Sequence, residues 1–133
     1  MENLNLDLGA VEYRIPGGGS LRFNPADPNV YSRFLEARPA LEAVGKQFRK
    51  KAKSAADGQA VLKLLTEADG QLKAVLETVF PGNDFNAALG GANLLALGSD
   101  GKTLAQALLS ALEEALSQGV QRFADGQAEK LLG

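Results

Sequence analysis

The chain contains no cysteine and no histidine. Without Cys there is no disulfide framework and no thiolate chemistry. The two absences together remove the usual zinc sites, the Ser-His-Asp and Cys-His nucleophile systems, and the commonest base near neutral pH. Only carboxylates, lysines and two tyrosines remain for acid–base work, so an enzyme is not the expectation and no cofactor is called for. No apolar run approaches the roughly 18 residues that mark a membrane span. The opening MENLNLD lacks the pattern of a secretory leader, so a soluble, intracellular protein off the membrane is expected. A formal net charge of −2 supplies no global field for nucleic acid.

What is present fits one domain covering residues 1–133, with 45% hydrophobic and 23% charged residues. Residues 3–8 read Asn-Leu-Asn-Leu-Asp-Leu, which puts Leu4, Leu6 and Leu8 on one face of a strand. Val11, Tyr13 and Ile15 alternate next, and Leu21 and Phe23 follow the turn Pro16-Gly17-Gly18-Gly19-Ser20. The pattern predicts a three-stranded antiparallel β-meander over residues 3–24 that needs a helix against its apolar face.

Asp27 as N-cap and Pro28 at the first helical position open a helix. Val30, Phe34, Ala37, Leu41, Val44 and Phe48 then fall at spacings of 4, 3, 4, 3, 4, the signature of one helical stripe. Pro39 lies inside it and predicts a kink or two shorter helices, the continuous register favouring the kink. Val61, Leu65, Ala68, Leu72, Val75 and Val79 repeat the same spacing after Asp57-Gly58, and Pro81-Gly82 ends the run. Two matched stripes joined by a short turn predict an antiparallel helical hairpin over residues 27–80.

Residues 81–99 form a Gly- and Asn-rich connector that nonetheless carries Phe85, Leu89, Leu94, Leu95 and Leu97. A solvent loop needs no such side chains, so the connector is expected to pack, with Phe85, Leu89, Leu94 and Leu95 as core candidates. Asn83 or Asp84 can cap a short helix there, ended by Gly90-Gly91. A last helix is expected over residues 100–132. Leu104, Leu108, Leu109, Leu112 and Leu116 spread around its first half, while Val120, Phe123 and Leu131 make a narrower stripe. Such a helix is either a central core helix or a self-association surface. The predicted class is α+β, mainly α: the meander packed on the hairpin, a short connector helix and a long C-terminal helix.

Three constellations invite a chemical reading. Ala96-Leu97-Gly98-Ser99-Asp100-Gly101-Lys102-Thr103 matches a phosphate-binding loop except that Ala96 replaces the first glycine. Asp100 would put a carboxylate inside the phosphate nest, so an Asp-Gly turn with Ser99 or Asp100 capping the helix is the better account. Lys46, Arg49, Lys50, Lys51 and Lys53 concentrate basic charge near a helix end, where cations suit the dipole. Lacking aromatic platforms, the run fits an acidic protein segment at Lys46, Arg49, Lys50 and Lys53 better than nucleic acid. Glu113-Glu114 and Glu67/Asp69 have no second acidic motif and read as solvated faces.

Two segments also carry a resemblance. One is Phe23-Asn24-Pro25-Ala26-Asp27-Pro28-Asn29-Val30-Tyr31-Ser32-Arg33-Phe34. The other is Phe80 through Lys102, with its Asn-Asp-Phe, Gly-Gly-x-Asn-Leu-Leu-Ala and Asp-Gly-Lys. In this order, with helices between and after, the chain resembles a family of small tail assembly chaperones from phages and prophages of Gram-positive bacteria. The resemblance implies a non-enzymatic role in the cytoplasm of a bacterial host. Such proteins bind the long, apolar tape-measure protein, keep it soluble and help recruit tail-tube protein around it. Phe85, Leu89, Leu97, Leu104 and Leu109 are the candidate contacts for an apolar partner, and the last helix is a candidate homo-oligomer surface. Two other expectations stand beside this one. The first is a structural tail or head–tail component that self-assembles; the second is a small regulatory or nucleic-acid-binding domain using residues 46–53.

Overall fold

The computed structural model describes residues 1–127 and residue 130. Its first paired element is a hairpin, β1 (Val11–Arg14) and β2 (Ser20–Phe23), antiparallel with Val11 opposite Phe23 and Tyr13 opposite Leu21. The Gly18 amide donates to the Ile15 carbonyl across a Pro16-Gly17 turn, with Gly17 at a φ of 82° as a type II turn requires. The sheet therefore has two strands, not the three expected. Leu4, Leu6 and Leu8 are 94%, 73% and 74% exposed, and residues 1–10 form no strand. Alternation records which residues would share a face of a strand, but it does not supply the neighbour. Here Leu8 is held otherwise, its carbonyl accepting from the Asn24 side-chain amide at 2.9 Å.

Helix α1 (Pro28–Lys53) starts where Asp27 caps the Asn29 amide, with Pro28 at its N-terminus, and runs through Pro39 as one element. Helix α2 (Gly58–Val79) starts where the Asp57 carboxylate caps the Ala60 amide. The two pack along the stripes read from the sequence, burying Val30, Phe34 and Leu41 on one and Ala68, Leu72, Leu76 and Val79 on the other.

Phe80, immediately after α2, is the hub. Its ring lies 4.8 Å from Phe23, 6.4 Å from Phe34 and 5.9 Å from Phe85, joining sheet, α1 and connector. Each ring buried there contributes about 1.5–3 kcal/mol, with offset aromatic pairing adding to it.

The last helix, α4 (Leu104–Arg122), begins at Leu104 rather than at the residue 100 expected, and continues into a π-helical turn over Phe123–Gln127. Leu131 and Leu132 lie outside the described residues. Helix α4 packs on α1 and fully buries only Leu112, Leu116 and Gly119. It is thus a flanking helix rather than a central one. Leu104, Leu108 and Leu109 lie half-buried along the seam, because one neighbouring helix cannot cover an apolar arc that wide.

Candidate partner-binding surface

The connector is anchored residue by residue. The Asp84 carboxylate caps the Ala87 amide at 3.0 Å and opens α3 (Phe85–Ala88). Phe85, Ala88 and Leu94 are buried, and Leu89 and Leu95 pack half-buried against the same core. Hydrogen bonds tie it to the hairpin: the Gly19 amide donates to the Ala88 carbonyl at 2.9 Å.

A buried lysine clamps the connector to α2. Lys73, 6% exposed, donates to Asp69 Oδ2 and Asn86 Oδ1, each at 2.7 Å, and to the Ala92 carbonyl at 2.8 Å. The other Asp69 oxygen accepts the Leu94 amide at 2.8 Å. Nearby in the connector, the Asn93 side chain donates to the Leu65 carbonyl of α2. A buried ammonium is tolerable only with its charge paired and its protons bonded, and all three donors of Lys73 are used. Sequence reading assigned this residue no role. The available signal was a lysine between Leu72 and Leu76 on the buried face, four residues after an aspartate.

Beyond Leu95 the chain turns outward. Leu97 pairs with Thr103 in an isolated bridge, closing a loop in which the Gly98 amide donates to the Lys102 carbonyl at 2.8 Å. The Gly101 amide donates to the Gly98 carbonyl, the Lys102 amide to the Asp100 carboxylate and the Thr103 amide to Gln106 Oε1. A phosphate-binding loop presents free amides; here four are already bonded within the chain. Asp100 makes the expected turn, but the helix cap is Thr103, in a reciprocal capping box with Gln106 rather than Ser99 or Asp100.

The five apolar candidates therefore divide. Phe85 is fully buried and holds the connector, so it offers nothing to a partner. Leu89 and Leu109 are half-buried against the core. Leu97 is 71% exposed at the base of the loop, and the Leu104 amide donates to the Ala96 carbonyl beside it. Leu104 and Leu108, one turn apart on α4, are half-buried against the core. Of the five, only Leu97 is exposed, and Leu104 is joined to the chain beside it through the bond to the Ala96 carbonyl. Leu62 of α2 also stands exposed, at 63%.

The basic candidates Lys46, Arg49, Lys50 and Lys53 are all exposed over the last turns of α1. Lys51 and Gln47 share a shallow groove with Glu67 of α2, which interrupts the positive surface. Among the described residues, no group of three His, Cys, Asp or Glu side chains could hold a metal ion, and no helix is long and apolar enough to cross a membrane.

No protein family, no characterised protein and no solved structure matches this chain. The functional reading rests on the residues themselves.

Proposed function

We propose that this chain is a tail assembly chaperone acting in the cytoplasm of a bacterial host. It binds an apolar, helix-forming tape-measure protein and assists the placing of tail-tube protein around it, without catalysis. The observation that carries the reading is Leu97. A large aliphatic side chain stands exposed on a loop whose neighbours are bonded into place, next to the half-covered Leu104–Leu108 face of α4. Contiguous exposed apolar surface marks interaction sites, and Leu97 beside an apolar helix face would suit an amphipathic helical partner. The segments carrying the family resemblance support the same reading, for they build the frame: Asp27 caps α1, Phe34 and Phe80 meet in the core, and Asp84 opens the connector helix.

Co-expression with a tape-measure protein encoded beside this chain tests the proposal. The expected outcome is a soluble complex that forms with the parent chain and fails with Leu97→Asp. A partner that stays insoluble while this protein alone builds large regular assemblies identifies a structural tail component instead. Retention on DNA that weakens steeply with salt identifies the nucleic-acid reading.

A further inference from the structure

The hairpin has one closed edge and one open edge. Ile15 donates to the Gly19 carbonyl at 2.9 Å, and the pairs Tyr13–Leu21 and Val11–Phe23 continue the alternation. The backbone groups of Arg22 therefore point out of β2, and those of Glu12 and Arg14 point out of β1. On β2 they are met: the Asn83 side chain accepts the Arg22 amide at 2.7 Å and donates to its carbonyl at 3.0 Å, as a neighbouring strand would. On β1, nothing among the described residues meets them. An uncovered edge is a template for another strand.

The same chain carries an extended segment with the matching pattern. Leu4, Leu6 and Leu8 alternate with Asn5 and Asp7 and stand exposed without a strand partner. Beside the open edge, Tyr13 and residues Ala115, Gln118, Gln121 and Arg122 of α4 line a groove of about 560 Å³. A strand added to β1 would set alternate side chains into that groove, on the Tyr13 face, and the others beside Glu12 and Arg14. Asp7 of the segment and the neighbouring Glu2 are acidic, while the edge carries Arg14 together with Glu12 and the groove carries Arg122.

Within one molecule the segment departs the other way. The Leu8 carbonyl is bonded to Asn24, and Leu8 shares a cleft with Arg22, Arg33, Phe80 and Pro81, on the side closed by Asn83. We propose that residues 4–8 of one copy add as a third strand to the β1 edge of a second copy, reciprocally, in a two-fold dimer. A self-complementary exchange of this kind closes with two copies, and strand addition supplies main-chain bonds together with alternate side-chain pockets. The inference does not depend on what the Leu97 surface binds.

Sedimentation equilibrium over a range of concentrations, with residue-resolved amide exchange on the same samples, tests it. The parent chain is expected to dimerise, and the Glu12 and Arg14 amides to slow on the order of tenfold or more in the dimer. The double variant Leu4→Asp, Leu6→Asp is expected to be monomeric, with both amides fast and thermal unfolding of the fold retained, since both leucines are exposed in the single chain. A parent chain that stays monomeric overturns the proposal; slow amides in that monomer would mean that the segment folds onto its own β1. A dimer that survives the double substitution, or leaves those amides fast, overturns it in favour of another face or partner.

Discussion

Gly119 of α4 lies against the Pro25 carbonyl so closely that a Cβ at this position would stand 2.0 Å from its oxygen and 2.9 Å from the Ala26 nitrogen. Helix α4 reaches the loop before α1 only because residue 119 has no side chain. Gly119→Ala sets a helix-propensity gain of about 1 kcal/mol against an overpacking cost of about 1–3 kcal/mol or more, since the obstacle is backbone rather than a side chain that can rotate away. The expected result is a lower melting temperature. An unchanged or raised one would mean that α4 sits farther from Pro25.

The Lys73–Asp69 pair makes a second prediction. Lys73→Met removes the ammonium that satisfies Asp69, Asn86 and the Ala92 carbonyl, and keeps most of the apolar stem. The loss is expected to be roughly 1.5–3 kcal/mol, the range for hydrogen bonds to charged groups, close to that for polar groups left without partners. Denaturant unfolding gives the magnitude, and a double-mutant cycle with Asp69→Asn isolates the coupling. Additive effects of the two substitutions would show that the pair does not act as a unit.

These two contacts also mark where the sequence was readable and where it was not. The stripes from Val30 to Phe48 and from Val61 to Val79 were legible because helical periodicity is a local property, and so was the cap at Asp27, whereas Asp57 was read only as part of the break before α2. The third strand was misread because Leu4, Leu6 and Leu8 show alternation, whereas pairing is decided by where Asn24 holds the chain. The apolar richness of α4 was legible, but its flanking position depends on Gly119 meeting Pro25, a contact 94 residues apart in numbering that no periodicity encodes. Of the candidate surface, Leu97 and Leu104 were named from the sequence, while Phe85 proved to be core. An apolar residue in a connector reads the same whether it faces in or out.

Leu97 and Leu108 should respond differently to the same substitution. Leu97→Asp exchanges one exposed side chain for another, so stability is expected to stay within about 0.5 kcal/mol of the parent. Leu108 packs half-buried against the core, and Leu108→Asp places a carboxylate against apolar neighbours at a cost of about 1–3 kcal/mol. Thermal unfolding of the two variants side by side makes the comparison. Equal losses would contradict the exposure of Leu97, and no loss at Leu108 would detach the start of α4 from the core.

The basic end of α1 gives the last prediction. Lys50 is exposed in the final turn of α1, with Lys51 and Lys53 also basic there. Reversing its charge loses a favourable interaction with the helix dipole, about 0.3–1 kcal/mol at low salt, and that loss shrinks as salt screens it. Lys50→Glu should therefore keep the fold and melt slightly lower in dilute buffer, with the difference narrowing at high ionic strength. If an acidic protein segment docks on this run, the same variant weakens that binding much more than it weakens folding, because the exposed lysine has little to do with the core. A large, salt-insensitive loss of stability would instead place Lys50 in the architecture of the helical hairpin.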